Sequence, residues 1–219
     1  GRLAAEPPGA AGSDRFRYDP NDPTPAAGGV RMSVSGPLPR GFAGPVDNRA
    51  LEARDDVLAY STDRLQRDIE VVGRVHADVW FRSSRPFADL FVRLCDVDQR
   101  GVSTNVCDGL VSIRGADIAS CVRVELWPTA HRFRAGHRIR VQVSSGAFPR
   151  FARNPGTGES HATATRLLAA DQEVLFGAEH PSAIVLPVFG GASHVCSIPG
   201  NGSRTAGCPQ VSQFPVCSA

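Results

Sequence analysis

The fold is decided by one stretch in the second half of the chain, which reads Cys121-Val-Arg-Val-Glu-Leu-Trp127 and, past a short connection, His137-Arg-Ile-Arg-Val-Gln-Val143. Apolar and polar side chains alternate through both runs. This period of two is typical of antiparallel strands that place one face against a core and the other in water. We therefore predict two such strands, with Arg123 and Glu125 of the first and Arg138, Arg140 and Gln142 of the second on the solvated faces.

The chain around this stretch has the same character. Short apolar runs separated by turn residues extend from about residue 57 onward. Several short strands with frequent turn signals indicate an all-β sandwich, which we place at residues 51–189. Only residues 162–172 suggest a short helix.

The two ends of the chain lack this pattern. Residues 1–50 are rich in proline, which removes a backbone donor and fixes φ, so we predict extended, irregular coil without strand or helix. Residues 190–219 carry no periodic apolar face and are predicted to be a disordered or atypical tail. The N-terminal segment also carries apolar side chains that suggest a linker wrapping over a neighbouring domain, namely Phe16, Tyr18, Met32, Leu38 and Phe42.

Composition argues against several classes of partner. The chain has 219 residues, of which 42% are hydrophobic, and this is enough for a packed core. No run approaches the roughly 18 apolar residues of a membrane helix. The net charge of +2 gives no field that would attract nucleic acid, and the use of Arg for all 24 basic residues is best explained by GC-rich codons. Neither nucleic acid nor a membrane is expected as a partner.

The cysteines fall into two sets. Cys95, Cys107 and Cys121 lie in strand-like apolar runs and are predicted to be buried free thiols. The other three lie in the tail, at spacings unlike the short Cys-x-x-Cys pairs of structural zinc sites. An exported protein could form disulfides among them, so their state is left open. Free thiols fit a reducing compartment, so we expect a cytoplasmic location.

The loop after the second strand carries the most specific signal. It reads Phe148-Pro-Arg-Phe151-Ala-Arg153-Asn154 and continues with Gly156-Thr-Gly158. With other pieces in the same order, it makes the chain resemble the C-terminal domain of the Xaa-Pro dipeptidyl-peptidase and cocaine-esterase-like (CocE/NonD) serine hydrolases. The resemblance implies a jelly-roll β-sandwich, similar to galactose-binding domains, that follows an N-terminal α/β-hydrolase domain in the same polypeptide. The other pieces are Phe16-Arg-Tyr18, Gly28-Gly29, Leu51-Glu-Ala-Arg54, Asp68-Ile-Glu-Val71, Leu90-Phe-Val-Arg-Leu94, Asp108-Gly109 and His180-Pro-Ser182.

One position departs from the family pattern. Many members carry an Asp-Thr-Asp-Phe run where this chain has Phe87-Ala-Asp89-Leu90. Only Asp89 is kept, so a role of the first acid is not carried over. The departure indicates a subfamily variant and not a different fold.

No catalytic residue is assigned to this chain. An α/β-hydrolase needs a Gly-x-Ser-x-Gly elbow that lifts the serine above the sheet, and the sequence contains none; the runs at Gly101 and Gly191 both lack the closing glycine. Strands and helices do not alternate as a doubly wound sheet requires. By the resemblance, the triad belongs to the upstream domain. No cofactor is expected.

The loop is the candidate binding surface. Aromatic rings beside guanidinium groups form a sticky, donor-rich surface of the kind found in protein interfaces. Such a loop either folds back onto its own sandwich or docks the hydrolase domain, and the sequence leaves both interpretations open. The candidate interdomain contacts are Phe148, Arg150, Phe151, Arg153 and Asn154.

Two other sets of residues are given structural roles. His131 and His137 flank a predicted turn, and a metal site there would need a distant third ligand such as His161 or Asp117, so we favour structural imidazoles and assign no metal. Two tryptophans, Trp80 and Trp127, sit in strand patterns and are predicted to lie in the core.

Two functions from different classes remain. The first is a non-catalytic C-terminal β-sandwich of a serine hydrolase that acts on Xaa-Pro peptides or acyl esters. The alternative is a freestanding carbohydrate- or ligand-binding jelly roll, which depends on fold analogy alone. Whether the chain forms a homo-oligomer is left open.

Overall fold

The computed structural model describes residues 1–5, 10–30, 43–190 and 194–197. These residues form antiparallel sheets, and the predicted all-β sandwich is confirmed. The elements are β1 (Gly12–Tyr18), α1 (Arg49–Glu52), β2 (Leu58–Ser61), β3 (Ile69–Gly73), β4 (His76–Ser83), β5 (Phe87–Val97), β6 (Ser103–Arg114), β7 (Ser120–Glu125), β8 (Thr129–Phe133), β9 (Arg138–Ser144), β10 (Ala170–Phe176), β11 (Ala183–Leu186) and β12 (His194–Ser197).

The larger sheet has the strand order β1-β10-β4-β11-β12, and β7 also pairs with β4. The second sheet has the order β2-β9-β5-β6, while β3 and β8 form a separate pair. Alternate side chains of the strands meet in one core, to which β4 gives Val79 and Phe81 and β9 gives Ile139 and Val143. Burying each such side chain contributes about 1.5–3 kcal/mol, so the alternating pattern in the sequence accounts for the layered fold.

The opposite face of the four-stranded sheet is not solvated, which corrects the prediction for Arg138, Arg140 and Gln142. Gln142 is fully buried and the two arginines are half-buried. Residues 43–57, including α1, cover this face. Glu52 of α1 accepts hydrogen bonds from Arg140 Nη1 at 2.5 Å and from Gln142 Nε2 at 2.7 Å. Glu52 thus replaces the water that the Arg140 and Gln142 donors lose on burial, while Gln142 Oε1 is buried without a hydrogen-bond partner among the described residues.

The N-terminal segment contains a strand, contrary to the prediction of irregular coil for residues 1–50. β1 pairs with β10 along its whole length. No proline lies between Gly12 and Tyr18, so the backbone donors that the ladder needs are all present. Phe16 and Tyr18 are buried within this same chain. Met32, Leu38 and Phe42, which were also assigned to the wrapping segment, lie outside the described residues.

Residues 162–172 do not form the suggested helix. Turn and coil lead into β10 at Ala170, where Gln172 and Val174 are buried on alternate positions. The period of two therefore decides the structure there. Among the described residues, no helix is long and apolar enough to cross a membrane.

The sandwich also extends past residue 189 by one strand. β12 pairs with β11, and Cys196 is buried in the core. Ser197 and Ala4 exchange backbone hydrogen bonds of 2.6 and 2.9 Å, so β12 also joins the N-terminus. Apart from Gly190 and β12, the predicted tail lies outside the described residues.

Within the described ranges, three cysteines are free and buried: Cys95 and Cys107, as predicted, and Cys196. Burial raises the pKa of both Cys95 and Cys107 to about 12, which leaves them as unreactive thiols at neutral pH. Cys121 is disulfide-bonded, so the prediction of a free thiol at that position is wrong.

Candidate functional site

The candidate loop leaves β9 and returns across the outer side of the four-stranded sheet. Its start is joined to the N-terminal segment, because Phe148 N donates to Thr24 O at 2.9 Å and Ala26 N donates to Phe148 O at 2.8 Å. The Phe148–Pro149 peptide is cis. Phe151 N donates to Ala147 O at 3.0 Å and closes the turn. Backbone bonds therefore fix the loop at both sides of Phe148.

Asn154 anchors the far end of the loop. Its Nδ2 donates to Asp89 Oδ1 at 2.9 Å, and its Oδ1 accepts a hydrogen bond from Gly156 N at 2.9 Å. Both Asn154 and Asp89 are buried. The one acid that this chain keeps from the family run thus holds the loop against β5, a role that the sequence did not reveal.

Arg150 points inward as well. Its Nη1 lies 2.7 Å from Asp108 Oδ1 as an ion pair, although the angle is not that of a hydrogen bond. The guanidinium carbon lies 4.9 Å above the centre of the Phe151 ring. That ring packs edge-on against Phe91 of β5, with centroids 6.2 Å apart. Arg150 and Phe151 therefore attach the middle of the loop to the sheet.

A buried charge cluster lies beneath the loop and consists of Arg93, Asp108 and Arg150. Arg93 of β5 stands opposite Asp108 of β6 and donates to its Oδ2 from Nε at 3.2 Å and from Nη2 at 3.0 Å. Arg93 and Asp108 are both buried. One carboxylate thus balances two guanidinium groups, and a positive charge remains in the cluster. Unpaired buried charge is costly, so Asp108 is the residue on which this arrangement depends.

The N-terminal segment completes the cluster. Arg93 Nη1 donates to Asn48 Oδ1 at 2.7 Å, and Asn48 Nδ2 donates to Val46 O at 2.8 Å. Gly29, with φ of +76°, passes so close that a Cβ there would lie 2.9 Å from Arg150 Nη1. Only glycine combines this φ with this approach. Gly29, Arg93 and Asp108 belong to three separate pieces of the family pattern, and in the fold they lie together at this charge cluster.

The remaining two loop residues face solvent. Phe148 is 41% exposed, and the exposed Arg153 places its guanidinium carbon 5.5 Å from the centre of the Phe148 ring. Arg153 Nη1 donates to Pro20 O at 3.1 Å. The five predicted contacts thus divide: Arg150, Phe151 and Asn154 bind their own sandwich, while Phe148 and Arg153 form an outward pair.

Arg93 and Asp108 occur in the family pieces, but the sequence predicted no role for them, and it predicted the wrong environment for Trp127. Arg93 is the single charge inside the apolar run from Leu90 to Cys95, and such a charge indicates a buried ion pair. Because Arg93 also falls on the polar position of an alternating strand, the alternation alone indicates an ordinary outward residue. Trp127 follows β7 and is 57% exposed, so its predicted place in the core is wrong. Trp80 is half-buried and lies edge-on to the His180 ring, with centroids 4.7 Å apart.

His131 and His137 meet at one carboxylate. His131 Nε2 lies 3.0 Å from Asp96 Oδ2, and His137 Nδ1 lies 2.9 Å from Asp96 Oδ1. Burial opposes the charge of Asp96, but the two imidazole hydrogen bonds outweigh it and hold the pKa of Asp96 below its usual value. The described part of the chain contains no group of three ligands that could hold a metal ion. The two imidazoles join β8 and the start of β9 to β5.

Asp89→Asn is expected to flatten the dependence of stability on pH. Burial raises the pKa of Asp89, and the hydrogen bonds from Asn154 and Ser112 offset this only in part. The stabilisation that follows from tighter proton binding is complete below the unfolded pKa of about 3.9 and is lost as pH rises through the folded pKa. The substitution keeps the acceptor oxygen for Asn154 and removes the charge. In urea unfolding measured from acid to neutral pH, the stability of the wild type relative to the variant should fall as pH rises, and a constant difference would contradict this assignment.

Comparison with known proteins shows which family this architecture matches. The model of the X-Pro dipeptidyl-peptidase C-terminal non-catalytic domain matches residues 1–185. Cocaine esterase of Rhodococcus sp. (strain MB1 Bresler) is 36% identical over 203 residues, which are 86% of this chain and 34% of that enzyme. The chain therefore spans about a third of the length of this relative.

Solved structures give the same picture. An aminopeptidase from a marine sediment archaeon, Thaumarchaeota archaeon, superimposes with a TM-score of 0.76 at 26% identity over 84% of this chain and 34% of its own. An α-amino acid ester hydrolase gives a TM-score of 0.68 at 25% identity over 81% of this chain and 32% of its own. In each case the similarity covers a minor part of a larger hydrolase.

Proposed function

Because the chain belongs to the family of the X-Pro dipeptidyl-peptidase C-terminal non-catalytic domain, we propose that it is the non-catalytic β-sandwich of a serine hydrolase of the α/β-hydrolase type. The observation that carries the proposal is the family match over residues 1–185 in a sequence without a Gly-x-Ser-x-Gly elbow. The hydrolase is a dipeptidyl-peptidase acting on Xaa-Pro peptides or an acyl esterase. The 36% identity to cocaine esterase supports the second activity.

The catalytic serine and its partners lie in an N-terminal α/β-hydrolase domain of the same polypeptide. That domain forms an acyl-enzyme through an activated serine and hydrolyses it with water. The β-sandwich stabilises that domain and shapes its cleft. Its contact is the loop with Phe148, Arg150, Phe151, Arg153 and Asn154, in which the exposed Phe148 and Arg153 face outward and the other three hold the loop on the sandwich.

A cytoplasmic location is part of the same proposal. The buried free thiols Cys95, Cys107 and Cys196 support it, since such thiols are typical of reducing compartments. The disulfide at Cys121 argues in the other direction. The state of Cys121 in protein purified without reductant is therefore the observation that decides the location.

The proposed function is tested by comparing this chain with the polypeptide that contains it. The chain alone is expected to give no turnover of p-nitrophenyl esters or of Ala-Pro-p-nitroanilide. The complete polypeptide is expected to hydrolyse one of them and to lose activity on serine modification. Turnover by the chain alone that a serine reagent abolishes would overturn the proposal.

A further inference from the structure

We propose that the outward pair Phe148 and Arg153 is the part of the loop that holds this domain to its catalytic domain, and that Arg153 receives a carboxylate side chain of that domain. The inference rests on the proposed function and deepens it. It divides the loop into a docking pair and an inward group, Arg150, Phe151 and Asn154, that positions the pair.

The free donors of Arg153 are the first argument. Its guanidinium makes a single hydrogen bond, to Pro20 O at 3.1 Å, and no ion pair with any described residue. The nearby acids are already bound: Asp19 accepts hydrogen bonds from Asn21, and Asp22 pairs with Arg54 at 3.1 Å. A guanidinium with open donors in a planar fork matches a carboxylate, which it can bind through two parallel hydrogen bonds.

The support beneath Arg153 is the second argument. The Phe148 ring lies under the guanidinium at 5.5 Å, a distance at which the ring face attracts the cation. The backbone of Phe148 is fixed on both sides by Thr24 and Ala26. The pair is therefore ordered before any partner arrives, which lowers the entropy lost on docking. An aromatic ring and an arginine together are the residue types that dominate binding energy in interfaces.

The charge of the layer beneath is the third argument. Arg93 and Arg150 share the single carboxylate of Asp108, so the buried cluster keeps a positive charge. Arg153 adds a second positive charge at the surface above it. The exposed charge of Arg153 itself attracts an acidic side chain of a partner and repels a basic one.

The length of the related enzyme indicates which partner the outward pair contacts. The chain covers 34% of cocaine esterase, and its family is a C-terminal non-catalytic domain. A catalytic domain about twice as large as this chain lies next to it in such an enzyme. Domains of one chain share interfaces of roughly 600–1,500 Å², and an exposed aromatic–arginine pair on an ordered loop is suited to such an interface.

The test uses the complete polypeptide with Arg153→Glu and, separately, Phe148→Ser. The matched controls are Arg114→Glu at the end of β6, where Arg114 is exposed, and Ile118→Ser in the turn between β6 and β7, where Ile118 is 72% exposed. Calorimetry should show one unfolding transition in the wild type and in both controls. Each docking variant should separate the transition of this domain and raise the rate of interdomain proteolysis about tenfold or more. Arg153→Lys should be intermediate, because an ammonium cannot bind a carboxylate through a fork.

Each outcome separates the two proposals. If the polypeptide hydrolyses its substrate and Arg153→Glu behaves like the controls, the docking inference is overturned and the proposed function stands. If the polypeptide has no serine-dependent activity, the proposed function fails first. In the chain of 219 residues alone, Arg153→Glu should lower the melting temperature by no more than about 4 °C, because it removes only the bond to Pro20 O and the contact with Phe148. A larger drop would make Arg153 a structural residue. Dimers of the chain that the variant dissociates would make a second copy the occupant; either result overturns the inference.

Discussion

Asp108→Ala is expected to destabilise the sandwich by about 3–5 kcal/mol, the range for removing one partner of a buried ion pair. The substitution leaves Arg93 fully buried with no carboxylate and also removes the ion pair of Arg150. Total stability of a domain is only about 5–15 kcal/mol, so the substitution should remove about a third or more of it in a domain of ordinary stability. Urea unfolding followed by tryptophan fluorescence measures the change.

Two comparisons make this prediction specific. Arg93→Ala should cost less than Asp108→Ala, since Asp108 then keeps Arg150 as its partner. Asp63→Ala removes the acid of an exposed pair with Arg2 and should change stability by no more than about 1 kcal/mol. Equal effects of Asp108→Ala and Asp63→Ala would show that the buried cluster does not stabilise the fold.

Cys196→Asp is expected to destabilise the chain by a similar amount, about 3–5 kcal/mol at neutral pH. Cys196 is 1% exposed and belongs to the core cluster, so the new carboxylate would have neither water nor a cation. Its pKa would be raised in the folded state, and the loss should shrink as pH falls and the group is protonated. Chemical denaturation at neutral and acid pH measures both effects.

Cys196→Ala is the matched control, because it removes only the sulfur and keeps the strand; we expect a loss of about 1 kcal/mol. If Cys196→Asp had no effect, β12 would not belong to the sandwich, and the sequence-based assignment of a loose tail beginning at residue 190 would apply to it as well.

The strand content could be predicted from the sequence because each strand shows its inner face directly. Ile139, Val141 and Val143 alternate with polar residues, and this pattern reports burial against the core. The same pattern does not report what covers the other face. Gln142 is buried because residues 43–57, far away in the sequence, lie over it, and local periodicity contains no information about such a partner.

The residues of the candidate site could be predicted from the sequence, but whether each side chain faces inward or outward could not. The loop from Phe148 to Asn154 stands out in the sequence, yet its inward or outward orientation depends on partners such as Asp89 and Asp108 on other strands. β1 was missed because proline density was averaged over residues 1–50. The stretch from Gly12 to Tyr18 contains none, and a shorter window would have shown a strand.

The polar layer between residues 43–57 and the four-stranded sheet also determines the order in which the chain assembles. Arg93 can donate its hydrogen bond to Asn48, and Gln142 can donate to Glu52, only after segments 45 and 90 residues apart have met. Until then the guanidinium and amide groups keep their hydration shells, and closing such long loops costs entropy. We therefore expect the apolar core to condense before this layer loses its water. Residues 43–57 are then expected to form one cooperative unit with β5, β6 and β9, and their amide protons should exchange with solvent together.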